Sequence, residues 1–288
     1  MKKFNDIVIA TDLDGTFFGS YKAPLVKRNL EAVKYFTDNG GKFTIATGRA
    51  PSHVMATFGD VAQYVNAPAI VCNGACFYDY AERKMVTGYP MDSNLVADAV
   101  ELVHKHFKDA GVRANSKEYE ILCTPGDLYH KYISEDIKFY TGVSHTALPT
   151  QMWRELVIYK LVVRAEVCVV EKILPLLYER FGDKIEIAMS SPTIIDMQLK
   201  GHTKGTMLAE DLRKYVGENA KIYACGDFFN DEKMLMAADV AVCPSNAHEH
   251  IKEISDLCLC SNEEGLIADL VEHIENEISN RTFIRQIR

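Results

Sequence analysis

Hydrophobic positions along this chain change period several times, and each change marks a predicted element. The unbroken apolar run Ile7-Val8-Ile9-Ala10 predicts a buried strand, and Val26, Leu30, Val33 and Phe36 recur on one helical face before Gly40-Gly41 stops it. Phe43-Thr44-Ile45-Ala46 predicts a second strand, ending at Thr47-Gly48-Arg49, and Ala69 to Cys72 a third, ending at Asn73-Gly74. Strands that alternate with helices predict a parallel α/β core, in which polar strand ends meet at one edge without being neighbours in sequence.

From about Gly88 to Ser190 the rhythm changes. An acidic cap at Asp92 precedes an amphipathic segment to Phe107, after which Val112-Arg113-Ala114 and Tyr119-Glu120-Ile121-Leu122-Cys123 read as strands. Lys160 to Val163 reads as strand, Val169 to Phe181 as helix and Ile185 to Ala188 as strand, which predicts a separate α+β module forming a lid over the core strand ends. The expected division is 1–87 for the first core segment, 88–190 for the insertion and 191–288 for the second core segment. In that last segment Thr203 caps a helix carrying Met207, Leu208, Leu212 and Val216, and Lys221 to Cys225 is a strand. A helix near Glu232 to Ala238, the strand Val240 to Val242 and the segments Asn246 to Ile254, Leu257 to Cys260 and Leu266 to Ile278 continue the alternation.

The length of 288 residues and 48% hydrophobic composition allow two domains, as the pattern suggests. With a formal charge of -8 and no basic patch interleaved with aromatics, nucleic acid is not an expected partner. No run approaches about 18 uninterrupted apolar residues, so no membrane span is expected. Asp6 and Asp12 interrupt the apolar segment after Lys2-Lys3, which does not read as a signal peptide, and a cytoplasmic location is the expectation. The eight cysteines form no C-x-x-C pair and mostly sit in apolar runs, as buried reduced thiols do.

Candidate chemistry gathers at the strand ends. Asp12-Leu13-Asp14-Gly15-Thr16 offers a nucleophilic carboxylate, a second carboxylate for proton transfer and a turn rich in N–H donors, a centre suited to attack on phosphorus. An Asx turn would explain those five residues alone equally well. The Thr47 hydroxyl and the adjacent Gly48 backbone can bind a phosphoryl oxygen, while Thr-Gly is also an ordinary strand exit and Arg49 is open to a structural ion pair. Lys204 stands in the first turn of its helix, where the dipole disfavours a cation; a phosphate and Asp12 close by would resolve the conflict, as would simple solvation. In Gly226-Asp227-Phe228-Phe229-Asn230-Asp231 the two aspartates can direct oxygens at one hard cation such as Mg²⁺, with Asn230 as a further oxygen or a positioning group; acidic capping of the next helix is the alternative.

In this order DLDGT at 12–16, TGR at 47–49, NGA at 73–75, TKGT at 203–206, GDFFND at 226–231 and SNA at 245–247 resemble the haloacid dehalogenase superfamily, in particular its Cof-like sugar-phosphatase group with a type IIB cap. The resemblance implies a Rossmann-like parallel-sheet core with an inserted α+β cap, and Mg²⁺-dependent phosphomonoester hydrolysis through an aspartyl phosphate. It makes Asp12 the nucleophile and Asp14 the general acid/base, with Thr47, Gly48 and Lys204 holding the phosphoryl group. It implies Mg²⁺ between the Asp12 carboxylate, the Asp14 carbonyl and Asp227, with Asp231 a ligand directly or through water, Asn230 positioning, and Asn73 and Gly74 near the substrate. Phe228-Phe229, where the family often has small or acidic residues, and Val242-Cys243-Pro244 depart from the pattern and bear on substrate size and loop geometry.

A small phosphorylated sugar is the substrate this resemblance implies, with a phosphorylated cofactor or nucleotide still open. Glu118, Tyr119, His145 and Arg154 are cap candidates for specificity. A phosphomutase would use the same intermediate, and a noncatalytic phosphometabolite-binding protein is the alternative of a different class. His248-Glu249-His250 and His104-Lys105-His106 do not share a helical face and make no zinc motif. The stripe Leu266, Ile267, Leu270, Val271 and Ile274 can complete the core without a partner, so a monomer is expected and a dimer stays open.

Overall fold

The computed structural model describes residues 2–19, 27–118 and 120–287, with side chains described except at residue 60 and from residue 281 onward. Val26 and Tyr119 therefore lie outside the described residues. The strands are β1 (Ile7–Thr11), β2 (Lys42–Ile45), β3 (Ala69–Val71), β4 (Cys76–Asp79) and β5 (Lys84–Gly88). They continue with β6 (Gly111–Ser116), β7 (Ile121–Cys123), β8 (His145–Ala147), β9 (Ile158–Arg164) and β10 (Ile185–Ser191). The last are β11 (Ile194–Leu199), β12 (Lys221–Cys225), β13 (Val240–Pro244) and β14 (Leu257–Leu259).

The core is an all-parallel sheet in the order β14-β13-β12-β1-β2, extended at the β2 edge by a parallel bridge from Ala46 to Ile70. Both faces are covered, which is why its strands read as continuous apolar runs. Ile9, Phe43, Ile45 and Val242 pack with the helices Lys27–Asp38 and Leu266–Ile287, whereas Val8, Ala10, Ile222 and Ala224 face Leu208, Leu212, Met234 and Ile251. From β1 the chain steps outward to β2 on one side, and after the insertion it returns to β12 on the other. Strand order thus reverses at β1, and the crevice beyond the carboxyl ends of β1 and β12 is where such sheets bind ligands.

The inserted module is a six-stranded sheet, β10-β11-β9-β6-β7-β8, antiparallel except for β7 beside β8. Alternation with period two sorts its side chains. Val112, Ala114, Leu161, Val163, Ile195 and Met197 pack under the helices Ser93–His106 and Val167–Phe181. The opposite face carries Arg113, Asn115, Lys160, Asp196 and Gln198, all buried. This sheet continues past residue 190, the limit given above for the insertion, because β11 forms a hairpin with β10 and pairs with β9. Its alternating Ile195-Asp196-Met197-Gln198 has the period of a two-faced sheet and not of a core strand.

The expected third strand, β3, touches the parallel core only through the bridge from Ala46 to Ile70 and otherwise pairs antiparallel with β4 in a small sheet β3-β4-β5 that precedes the insertion; β4 and β5 were not anticipated, β5 being exposed over Lys84 to Val86. All eight cysteines are free, but Cys168 and Cys258 are exposed rather than buried. Among the described residues no helix is long and apolar enough to cross a membrane.

Candidate active site

Asp12 leaves β1 with its N–H still donating to the Cys225 carbonyl of β12 at 2.9 Å, so the paired strands fix its backbone. The turn that follows requires glycine. Gly15 has φ +88°, and a Cβ there would lie 2.3 Å from a carboxylate oxygen of Asp227. Thr16 closes the turn by donating its hydroxyl to Asp227 Oδ1 at 2.6 Å. From the next strand end, Asp231 Oδ2 accepts the Asp227 N–H at 3.1 Å, which shapes the loop after β12.

Lys204 joins these two loops. Its Nζ donates to Asp12 Oδ1 at 2.8 Å and to Asp231 Oδ1 at 2.6 Å, and all three groups are buried. Thr203 and Thr206 form a capping box that starts the helix at Lys204, and Gly74, with φ +99°, lets the Asn73-Gly74 turn press against the Thr203 backbone. The dipole conflict noted for Lys204 is resolved by two carboxylates.

Burial acts most strongly on Lys204 and favours its neutral form, but Asp12 and Asp231 outweigh it and raise the ammonium above its ordinary range. Burial also pushes the Asp12 carboxyl well up against the pull of Lys204, and Asp231, Asp227 and Asp14 push the same way. These two upward shifts compete for one proton; the two short contacts of Nζ favour a charged lysine with surplus negative charge shared among the carboxylates. Burial and then Asp231 lift Asp227 to about 7, opposed by its hydrogen bond from Thr16.

That surplus is what a hard cation would neutralise. Oxygens of Asp12, Asp227 and Asp231 lie within 4.8 Å of one another, and three clustered carboxylates, two of them paired with a single ammonium, fit a divalent ion such as Mg²⁺.

Asp14 borders one cavity with Asp12 and is gripped by Arg49, whose Nε and one terminal nitrogen each donate to a carboxylate oxygen at 2.6 Å. The guanidinium also donates to Thr57 Oγ1 at 3.1 Å and lies 4.7 Å from the Phe58 ring centroid and 5.3 Å from that of Tyr140. Thr47 is buried, with its hydroxyl accepting the Arg49 N–H at 3.2 Å. Gly48 lines the cavity, and its carbonyl accepts from Lys160 of the inserted sheet at 2.8 Å. Asn73 donates to Asp196 at 2.6 Å and accepts from Asn230 at 3.3 Å, so the insertion docks on the two strand-end turns.

A cavity of about 330 Å³ lies between core and insertion, bounded by Asp12, Asp14 and Gly48 on one side and by Arg113, Lys160, Arg164 and Asp196 on the other. A neighbouring cavity of about 410 Å³ is lined by Asn73, Gln198, Phe229 and Lys233; Asn230 borders both. Gly74 lines neither, being packed on Thr203 instead. Of the specificity candidates, Glu118 and His145 are exposed, and Arg154 pairs with Asp98 and Glu101 away from both cavities. The cationic residues that do line the site were missed. Arg113 alternates with apolar residues in β6, a pattern that ordinarily marks a solvent face, and Lys160 and Arg164 bound an unbroken apolar run in β9.

A family model described as haloacid dehalogenase-like hydrolase matches residues 9–271. The pyridoxal phosphate phosphatase YbhA of Escherichia coli (strain K12) is 26% identical over 277 residues, covering 92% of this chain and 97% of that protein. The 5-amino-6-(5-phospho-D-ribitylamino)uracil phosphatase YcsE of Bacillus subtilis (strain 168) is 23% identical over 272 residues, covering 92% of this chain and 94% of that protein. A solved sugar phosphatase of HAD subclass IIB superposes with a TM-score of 0.78 at 20% identity, covering 93% of this chain and 98% of that one, and so shares the fold.

Proposed function

Since this chain belongs to the haloacid dehalogenase-like hydrolases and is a phosphatase, we propose that it hydrolyses small phosphorylated metabolites, sugar phosphates above all, in a Mg²⁺-dependent reaction through a phosphorylated Asp12. One observation carries this reading. Asp12 and Asp14 open onto a single cavity while Lys204 and two further carboxylates crowd behind Asp12.

In the proposed reaction the Asp12 carboxylate attacks phosphorus in line, and Asp14 gives a proton to the departing alkoxide. Water then attacks phosphorus of the acyl phosphate and gives a proton to Asp14, and the phosphorus–oxygen bond to Asp12 breaks to release inorganic phosphate and restore the carboxylate. Arg49 fixes the orientation of Asp14 through both carboxylate oxygens. Lys204 balances charge on Asp12 and on the phosphoryl oxygens, with the Thr47 hydroxyl and the Gly48 backbone as further contacts. Mg²⁺ would be held by Asp12, Asp227 and the Asp14 carbonyl, with Asp231 directly or through water, and supplies charge neutralisation between nucleophile and substrate. The docked insertion excludes bulk water from the cavity.

The test is phosphate release from a panel of sugar phosphates, nucleotides and phosphorylated cofactors, with and without Mg²⁺. Pyridoxal phosphate belongs in the panel because a relative is named for it. Metal-dependent release that vanishes in Asp12→Asn is expected. Full turnover by that variant would sink the mechanism, and a rearranged sugar that keeps its phosphate would identify a mutase.

A further inference from the structure

We infer that the inserted sheet carries a receptor for a second anionic group, so that the preferred substrates are phosphomonoesters whose leaving alcohol also bears a carboxylate or another phosphate. This rests on the phosphatase reading above and specifies its substrate class. Arg113 Nε donates to Asp136 Oδ2 at 2.5 Å, and Arg164 donates to the other oxygen of the same carboxylate. Two guanidiniums therefore share one counter-charge. Lys160 has its own partner in Asp196 at 2.9 Å, so away from the reacting carboxylates the cavity holds three cations against two carboxylates.

The uncompensated charge comes with an uncompensated donor. Arg164 Nε is buried with no hydrogen-bond partner, and on the adjacent strand Asp196 Oδ1, in a side chain 1% exposed, is likewise unpartnered. Buried polar atoms without partners are rare and costly, and both residues line the cavity that holds Asp12 and Asp14. Arg164 faces Ile194 and Asp196 faces Val162 across β9 and β11, which puts the orphaned donor and acceptor on one sheet face. An anion on the arginines with a neighbouring hydroxyl donating to Asp196 satisfies both atoms and cancels the excess charge. Guanidinium suits carboxylate and phosphate oxygens better than ammonium does.

The experiment uses matched pairs that differ by one anionic group: 6-phosphogluconate against sorbitol 6-phosphate, and fructose 1,6-bisphosphate against fructose 6-phosphate. Binding to Asp12→Asn protein with Mg²⁺ is measured by calorimetry, and turnover of all four by the unaltered protein. In at least one pair the doubly anionic member is expected to bind about tenfold more tightly, and the pair that shows it tells carboxylate from phosphate. Adding R164Q should bring the ratio close to one, while D136N, which removes the competing carboxylate, should raise it. Ratios near one in both pairs overturn the inference, as does a ratio that survives R164Q; if R164Q does not fold, an unchanged ratio in D136N overturns it instead. Anion-selective binding without turnover by the unaltered protein would overturn the hydrolase reading and leave this one standing.

Discussion

Arg49 holds Asp14 by both carboxylate oxygens, at 2.6 Å each, and the same guanidinium sits 5.3 Å from the ring of Tyr140 in the inserted module. The contact ties the proposed proton donor to the position of the cap. Lysine cannot reproduce a two-pronged grip. Arg49→Lys should therefore lower kcat by about tenfold or more, with a smaller change in KM. Steady-state kinetics on the best panel substrate checks this, and a variant changed in KM alone would remove Arg49 from the positioning role.

Lys204 is fully buried between Asp12 and Asp231. Replacing it with Met leaves two carboxylates facing each other without a counter-charge, which should cost about 3 kcal/mol or more of stability without metal. Added Mg²⁺ should restore part of that loss. Urea unfolding with and without Mg²⁺ measures both effects, and a variant as stable as the parent in the absence of metal would contradict the charged-lysine reading.

Gly15 is confined twice over, by φ +88° and by the Asp227 carboxylate 2.3 Å from where its Cβ would stand. Gly15→Ala should lose about 1–3 kcal/mol through backbone strain alone and should weaken Mg²⁺ binding by displacing Asp227. Calorimetric titration of Mg²⁺ into the variant tests the second effect, which simple loop strain elsewhere would not produce.

His53 is buried and stacked on Tyr140 at 4.1 Å between ring centroids. Burial, followed by the charges of Arg113 and Arg49, holds its imidazole well below the ordinary histidine range. Unfolding frees a histidine that takes up a proton near about pH 6.5, so below that pH the unfolded chain binds more protons and stability falls as pH falls. This loss continues until the folded-state value is reached, at about 1.4 kcal/mol per pH unit for one proton at full slope. Denaturant midpoints between pH 7.5 and 5 should show this acid limb flattened in His53→Gln; an unchanged slope would assign the acid sensitivity to other groups.

Much of the candidate site was legible in the sequence. Parallel strands covered on both faces leave polar residues only at their ends, so Asp12, Thr47 and Asp227 each stand out after an apolar run. Lys204 stood out for a different reason, as a cation at a helix start whose conflict with the dipole either a phosphate and Asp12 close by or simple solvation would resolve. That these groups meet follows from the reversal of strand order at β1, which the alternation of strands and helices implied but did not specify. A structural ion pair for Arg49 was one of the open alternatives, and only side-chain geometry names Asp14 as the partner and both of its oxygens as the contacts.

The sequence by itself determined the period of each segment, and through it which side chains share a face: Ile195 and Met197 on one side of β11, Asp196 and Gln198 on the other. It did not determine what covers that face. Arg113 and Asp196 alternate with apolar residues as solvent-facing side chains do, Lys160 and Arg164 bound an apolar run, and only the docking of their sheet on the turns at Gly48 and Asn73 turns all four inward over Asp12. Periodicity is a local property of the backbone, whereas burial of a polar face depends on contacts between segments more than a hundred residues apart, such as Lys160 with Gly48 at a separation of 112. The surroundings of Asp12 were therefore written along the chain, and the cavity above it was decided by tertiary structure.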